Sequence, residues 1–249
     1  MTPSMVYPIL IVLLAVVRGI VCVEFTVRND ALSTPGGKRF ENVIGQAYIK
    51  ATMIKSSNFI WNMFKQQNAQ DKNTYNNVEV VVYNYNGGEA YTSGSIINIS
   101  ALYVQGYQGN VKWEITSLVY HEMTHVWQWD GAGKAPVGLV EGVADYTILK
   151  ANYYPPAFAK PGTGDKWDQG YDITARFLEY CESLKPGFVA ALNKKMKDTY
   201  NVQYFKDLLG KSVDQLWKEY KAKYSGGKVV EKLNLEEIKP RKYSDRYLV

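Results

Sequence analysis

The sequence predicts an α+β fold: a small mixed sheet with accompanying helices, followed by a mainly helical C-terminal lobe. Three observations carry this. Strand-like runs are confined to the first hundred residues. Apolar residues spaced three or four apart dominate from residue 111 onward. A chain of 249 residues that is 46% hydrophobic and 21% charged can bury a sizeable core, which argues against disorder, collagen and coiled coil.

Residues 8–17 read PILIVLLAVV, an apolar run of ten. It is too short for the roughly 20 residues of a membrane-spanning helix, and it fits the core of a secretory signal. No Lys or Arg precedes it and no clean small-x-small site follows, so cleavage is expected between residues 19 and 24. The expected divisions are a signal peptide at 1–22, one domain at 23–226 and a charged tail at 227–249. Within the domain, 23–131 is the α/β part and 132–226 the helical part.

Residues 24–28 alternate apolar and polar and read as a strand; residues 33–37 (STPGG) read as a turn. A long helical pattern runs from 39 to about 67, followed by a polar loop at 68–77. Residues 78–83 (VEVVVY) and 95–100 (SIINIS) are strand candidates, with a turn at Asn86-Gly87-Gly88 between them. Helices are expected at 111–129, 136–151, 168–184, 188–199, 204–209 and 213–224.

The net charge is +5 and the isoelectric point about 8.9, with no block of five or six like charges. Nucleic-acid binders concentrate their charge, so that class is set aside. Mild basicity suits acidic surfaces such as cell-wall polymers. Loss of the signal removes Cys22 and leaves Cys181 alone in an apolar helical stretch, where a buried thiol is expected.

The chain has two His, and both lie in His121-Glu122-Met123-Thr124-His125, an H-E-x-x-H pattern on a predicted helix. Residues four apart on a helix lie about 40° apart and one turn along, so both imidazoles can meet one cation. Zinc is the expected ion, since it takes nitrogen and oxygen ligands and leaves a fourth position open. Glu122 lies about 100° round from His121, placed to take a proton from an attacking water and pass it to a leaving amine. Ile115, Leu118, Val119, Met123 and Val126 gather on one side for the core, and the His pair shares another with Glu114 and Gln128.

No third His exists, so a carboxylate must complete the site. Asp130 is too close in sequence to fold back. Glu141 and Asp145 are four apart on the next helix, and a turn through Gly131, Gly133 and Pro136 would bring their face to the His pair. Glu141 is the expected ligand, and Asp145 the acceptor that orients a ligating imidazole.

The stretch HEMTHVWQWDGAGKAPVGLVEGVADY resembles the signature of the plant basic secretory proteins. The resemblance extends to ALSTPGGKRF upstream and to KWDQGYDITARFLEYC, GFVAALNKKM and DQLWKEYKAKY downstream, covering roughly residues 24 to 224. It implies secretion to the apoplast or cell wall, a zincin-like fold, zinc-dependent peptide hydrolysis and a link to plant defence. The wider group of zinc enzymes with an E-G-x-A-[DE]-[YF] helix implies Glu141 as third ligand.

Tyr171, opening a helix after the metal helices, is the first candidate donor to a developing oxyanion; Tyr146, beside Asp145, is the second. Residues 95–100 are read as an edge strand able to pair with an extended peptide. Asn98-Ile99-Ser100 is the one glycosylation sequon, and a glycan there would obstruct that edge. Trp127, Trp129 and Trp167 flank the motifs and are read as core. The expectation is a monomeric, secreted zinc metallopeptidase acting on peptides or proteins, with no stable membrane insertion after signal cleavage. The alternative is a defence-related binding protein that retains the zinc site and hydrolyses little.

Overall fold

The computed structural model describes residues 23–225. The expected signal segment and charged tail lie outside the described residues. Strand β1 (Glu24–Asn29) forms as the alternation predicts. The expected turn at 33–37 instead starts a helix. Thr34 Oγ1 accepts the Gly37 N–H at 3.1 Å and Pro35 occupies the first turn, so α1 (Pro35–Arg39) is capped from the sequence itself. A π-helical turn at Phe40–Ile44 and a break at Gly45 split the long helix expected here, and α2 (Gln46–Met63) follows.

Strands β2 (Asn77–Tyr83), β3 (Ala90–Ser93) and β4 (Ile96–Ser100) complete a four-stranded mixed sheet in the order β1-β2-β4-β3. β1, β2 and β4 are parallel; β3 runs antiparallel to β4, with Tyr91 opposite Asn98. This corrects the strand assignment. Residues 95–100 are not an edge: β4 lies between β2 and β3, and β3 is the edge on that side. Burial of β4 on both faces from Ile97 to Ser100 fits an interior strand better than an edge. Asn98 is buried there, so the folded chain does not present the sequon to solvent.

Ser100 Oγ accepts the Tyr103 N–H and starts α3 (Ala101–Gly106), an element the sequence pattern does not announce. Asn110 caps α4 (Val111–Trp127) through the Trp113 N–H. The expectation of a one-sided core face on α4 understates its position. Every residue from Glu114 to Thr124 is buried, because α2, the β3 edge and the following helix α5 (Val137–Lys150) pack around it. Glu114 is fully buried, and its two carboxylate oxygens accept the hydroxyls of Tyr103 and Tyr107 at 2.9 Å each.

α5 packs on α6 (Tyr171–Leu184) through Gly142, where a Cβ would overlap the Thr174 side chain. α6 starts at Tyr171 rather than 168, since Gly170 has φ 105° and Tyr171 φ 46°, both outside right-handed helix. Helices α7 (Phe188–Lys195), α8 (Tyr204–Leu209) and α9 (Val213–Ser225) close the helical part. One contiguous core joins sheet and helices, including Val80, Ile97, Leu118, Val143, Phe177 and Tyr220. Trp127 is fully buried, Trp129 and Trp167 pack partly against this core, and burial pushes the Cys181 thiol up.

Candidate metal centre

Helix α4 brings His121 and His125 to one face, as their spacing predicts. Their Nε2 atoms are 3.1 Å apart. The turn after α4 returns the chain so that α5 lies against it, and Glu141 Oε2 stands 3.2 Å from His121 Nε2 and 3.6 Å from His125 Nε2. Among the described residues these three form a group able to hold a metal ion. Asp145, one turn further along α5, accepts at 2.8 Å from His121 Nδ1. The four residues singled out on sequence grounds are therefore one connected cluster. Asp130 is not part of it: its Oδ1 accepts the Gly133 N–H at 3.0 Å and helps form the turn.

The donor set fits zinc. Ligand bonds of 2.0–2.1 Å in a tetrahedron put donor atoms about 3.3 Å apart, and the separations here are 3.1, 3.2 and 3.6 Å. Two imidazoles and one carboxylate leave the fourth position open, as hydrolytic zinc sites do. The electrostatics point the same way. Burial opposes protonation of His121, yet its hydrogen bonds to Asp145 and Glu141 outweigh that and hold it up to about 10. Burial pushes Glu141 up, but the two imidazoles win and hold it well below the usual carboxylate range. Positive charge between these groups is favoured, whether it arrives as a proton or as a cation.

Glu122 points off the ligand face, toward the sheet. It is almost fully buried, and its Oε2 accepts a hydrogen bond from Thr92 Oγ1 at 2.6 Å. Thr92 belongs to the edge strand β3, which lies against α4. Between them opens a cleft of about 240 Å³ lined by residues that include Ala90, Tyr91, Glu122, His125 and Glu141. Tyr171 stacks on the His121 ring, with centroids 6.3 Å apart and planes 18° apart. Burial first, then the charges of Glu141, Asp145 and Glu122, push its hydroxyl well above the usual tyrosine range, so it stays protonated. Its left-handed backbone at the start of α6 is a strained conformation of the kind that collects at functional sites. Tyr146 is elsewhere: burial first, then the charges of Glu182 and Glu179, push its hydroxyl up, and Lys150 lies over its ring.

Two residues that sequence reasoning did not assign a role also meet the cluster. Thr92 has no signal in the sequence, because its contact with Glu122 spans thirty positions. Gln128 touches His125 Nδ1 at 2.7 Å. Its signal was local, since it lies three residues beyond His125 on the same side of the helix.

A family model described as "Peptidase of plants and bacteria" matches residues 21–220. Over 59 residues the chain is 48% identical to a protein of Boswellia serrata named "Basic secretory protease", a stretch that makes up 24% of this chain and 67% of that protein.

Proposed function

Since the chain belongs to this peptidase family of plants and bacteria, the basic secretory proteins, we propose that it is a zinc-dependent metallopeptidase with His121, His125 and Glu141 as ligands. The observation that carries the proposal is the spacing of three donor atoms from two helices, 3.1 to 3.6 Å apart, at the floor of a cleft. Bound zinc would supply Lewis-acid polarisation of the scissile carbonyl and would make a water acidic enough to lose its proton near neutral pH.

The chain's own residues do the rest. Glu122 is the general base: its carboxylate takes the proton of the attacking water as the carbon–oxygen bond forms. It then delivers that proton to the amide nitrogen as the carbon–nitrogen bond breaks. Thr92 holds one Glu122 oxygen, which leaves the other for this exchange. Tyr171 keeps its proton and serves as the donor to the developing oxyanion. Asp145 fixes the His121 ring by accepting its Nδ1 proton. An extended peptide pairs with β3, the strand edge beside the cleft, in place of the edge first expected at 95–100.

Secretion to the apoplast or cell wall and a part in plant defence belong to the same proposal. Secretion is supported by the apolar run at 8–17 and by the name of the Boswellia protein; the apoplast or cell-wall location and the defence role rest on the resemblance to the plant basic secretory proteins. Among the described residues no helix is long and apolar enough to cross a membrane. The division into an α/β part at 23–131 and a helical part at 132–226 is proposed as two halves of one catalytic unit, with the centre at their junction.

Elemental analysis paired with a proteolysis assay tests the reading. About one zinc per chain, with hydrolysis of a denatured protein abolished by a chelator and restored by zinc, is the expected outcome. Full zinc with no cleavage across a broad peptide library would favour the binding-protein alternative. Absence of zinc even after reloading would overturn the ligand assignment.

A further inference from the structure

The two histidines are held by different partners. His121 has a carboxylate behind it; His125 has the side-chain amide of Gln128, whose Nε2 lies 2.7 Å from His125 Nδ1. Gln128 is buried, and its carbonyl oxygen Oε1 has no hydrogen-bond partner among the described residues. Leaving a buried acceptor unsatisfied is unfavourable, because it has given up its hydrogen bonds to water.

The chemistry of the ring supplies a partner. His125 Nε2 faces the junction with His121 Nε2 and Glu141 Oε2. To give a lone pair to a cation there, Nε2 must be unprotonated, and in a neutral imidazole the proton then sits on Nδ1. An Nδ1–H needs an acceptor opposite it. The amide of Gln128 provides a donor in one orientation and, rotated by half a turn about its last side-chain bond, an acceptor at the same place. In the first orientation it favours the tautomer that cannot ligate. In the second, Oε1 gains the hydrogen bond that it lacks, and Nε2 of the ring is free to ligate.

We propose that Gln128 is the positioning residue for His125, with Oε1 accepting the Nδ1 proton when the site holds its metal. The inference rests on the zinc reading above and deepens it. Gln128 does for His125 what Asp145 does for His121, but without charge. The site thus has one anionic and one neutral support, and its amide can exchange donor for acceptor where a carboxylate cannot.

The test uses the zinc-loaded full chain with nitrogen-15 in its imidazoles. The chain has only two His, so two ring systems account for every imidazole signal. The wild type should show both Nδ1 protons protected from exchange with solvent. Gln128→Leu should lose protection of the His125 proton alone and bind zinc about 10–100-fold more weakly, the usual range for such supporting contacts. The His121 proton, held by Asp145, remains protected and shows that the fold is intact. Gln128→Glu, which keeps an acceptor at that place, should restore both protection and affinity. Unchanged zinc affinity and an unchanged His125 Nδ1 proton in Gln128→Leu would overturn the proposal. So would a wild-type His125 carrying its proton on Nε2. If the wild type binds no zinc at all, the zinc reading fails first, and that outcome is separately visible.

Discussion

Helix α4 is supported differently on its two sides. Toward α5 it meets a closed set of charged groups: His121 between Asp145 and Glu141, with His125 beside Glu141. Toward the sheet it meets the β3 edge, where Thr92 holds Glu122 and the remainder is open cleft. The side proposed to hold a cation is cross-connected and buried. The side proposed to admit a substrate and move a proton is met from the sheet by the Thr92 hydroxyl, which lies 2.6 Å from Glu122 Oε2 and 3.2 Å from the Glu122 backbone carbonyl. On the function proposed above, one side would bind the metal and the other would perform hydrolysis, and substitutions on each side should separate accordingly.

The largest effect is expected on the α5 side. Glu141→Gln removes a ligand charge and should lose zinc and, with it, hydrolysis. Asp145→Asn removes an orienting acceptor and should weaken zinc by about 10–100-fold. Zinc titration of the two variants against the wild type measures the difference; equal retention by Glu141→Gln and wild type would remove Glu141 from the ligand set.

A smaller effect lies deeper on that side. Asp172, in the first turn of α6, is pushed up from its ordinary 3.8 to about 6, first by burial and further by the Asp145 charge, against the Ala159 N–H and Arg176. Its folded value exceeds its unfolded one, so the folded chain binds the extra proton. The stabilisation is fully present below 3.8 and is lost as pH rises through about 6. The contribution is on the order of 2–3 kcal/mol, at about 1.4 kcal/mol per pKa unit. Urea unfolding at a series of pH values should show this slope, and Asp172→Asn should flatten it.

The smallest effect belongs to the β3 side. Thr92→Val keeps the shape and removes the donor to Glu122. Loss of one charge-assisted hydrogen bond, about 1.5 kcal/mol, should slow hydrolysis roughly tenfold at unchanged zinc content. A loss of zinc in this variant would mean that the two sides are not independent.

The same division describes what could be read from the chain. His121, Glu122 and His125 are legible because helical spacing alone puts them together. Glu141 and Asp145 follow because a short glycine-containing turn joins two helices whose faces must meet. The strands at 24–28 and 78–83 are legible from alternation and β-branching. What was misread depends on contacts distant in sequence. Strand β3 has only four residues and little apolar pattern, and its pairing with β4 turned an expected edge into an interior strand. The helix at Pro35 depends on the Thr34 cap, and the Gly45 break on a backbone angle that the apolar spacing does not encode. Thr92 could not be found at all without the sheet.

On α4 the two proposed histidine ligands, His121 and His125, and the proposed general base, Glu122, are separate groups about one turn apart or less. Glu122→Gln tests that separation most directly. Gln keeps the shape and can still hydrogen-bond a water, but it cannot take its proton. Zinc content and hydrolysis of a denatured protein are measured together in wild type and variant. Zinc content should be equal, and the rate reduced by about 100- to 10,000-fold. Equal zinc with equal cleavage would contradict the assignment of Glu122 as the base.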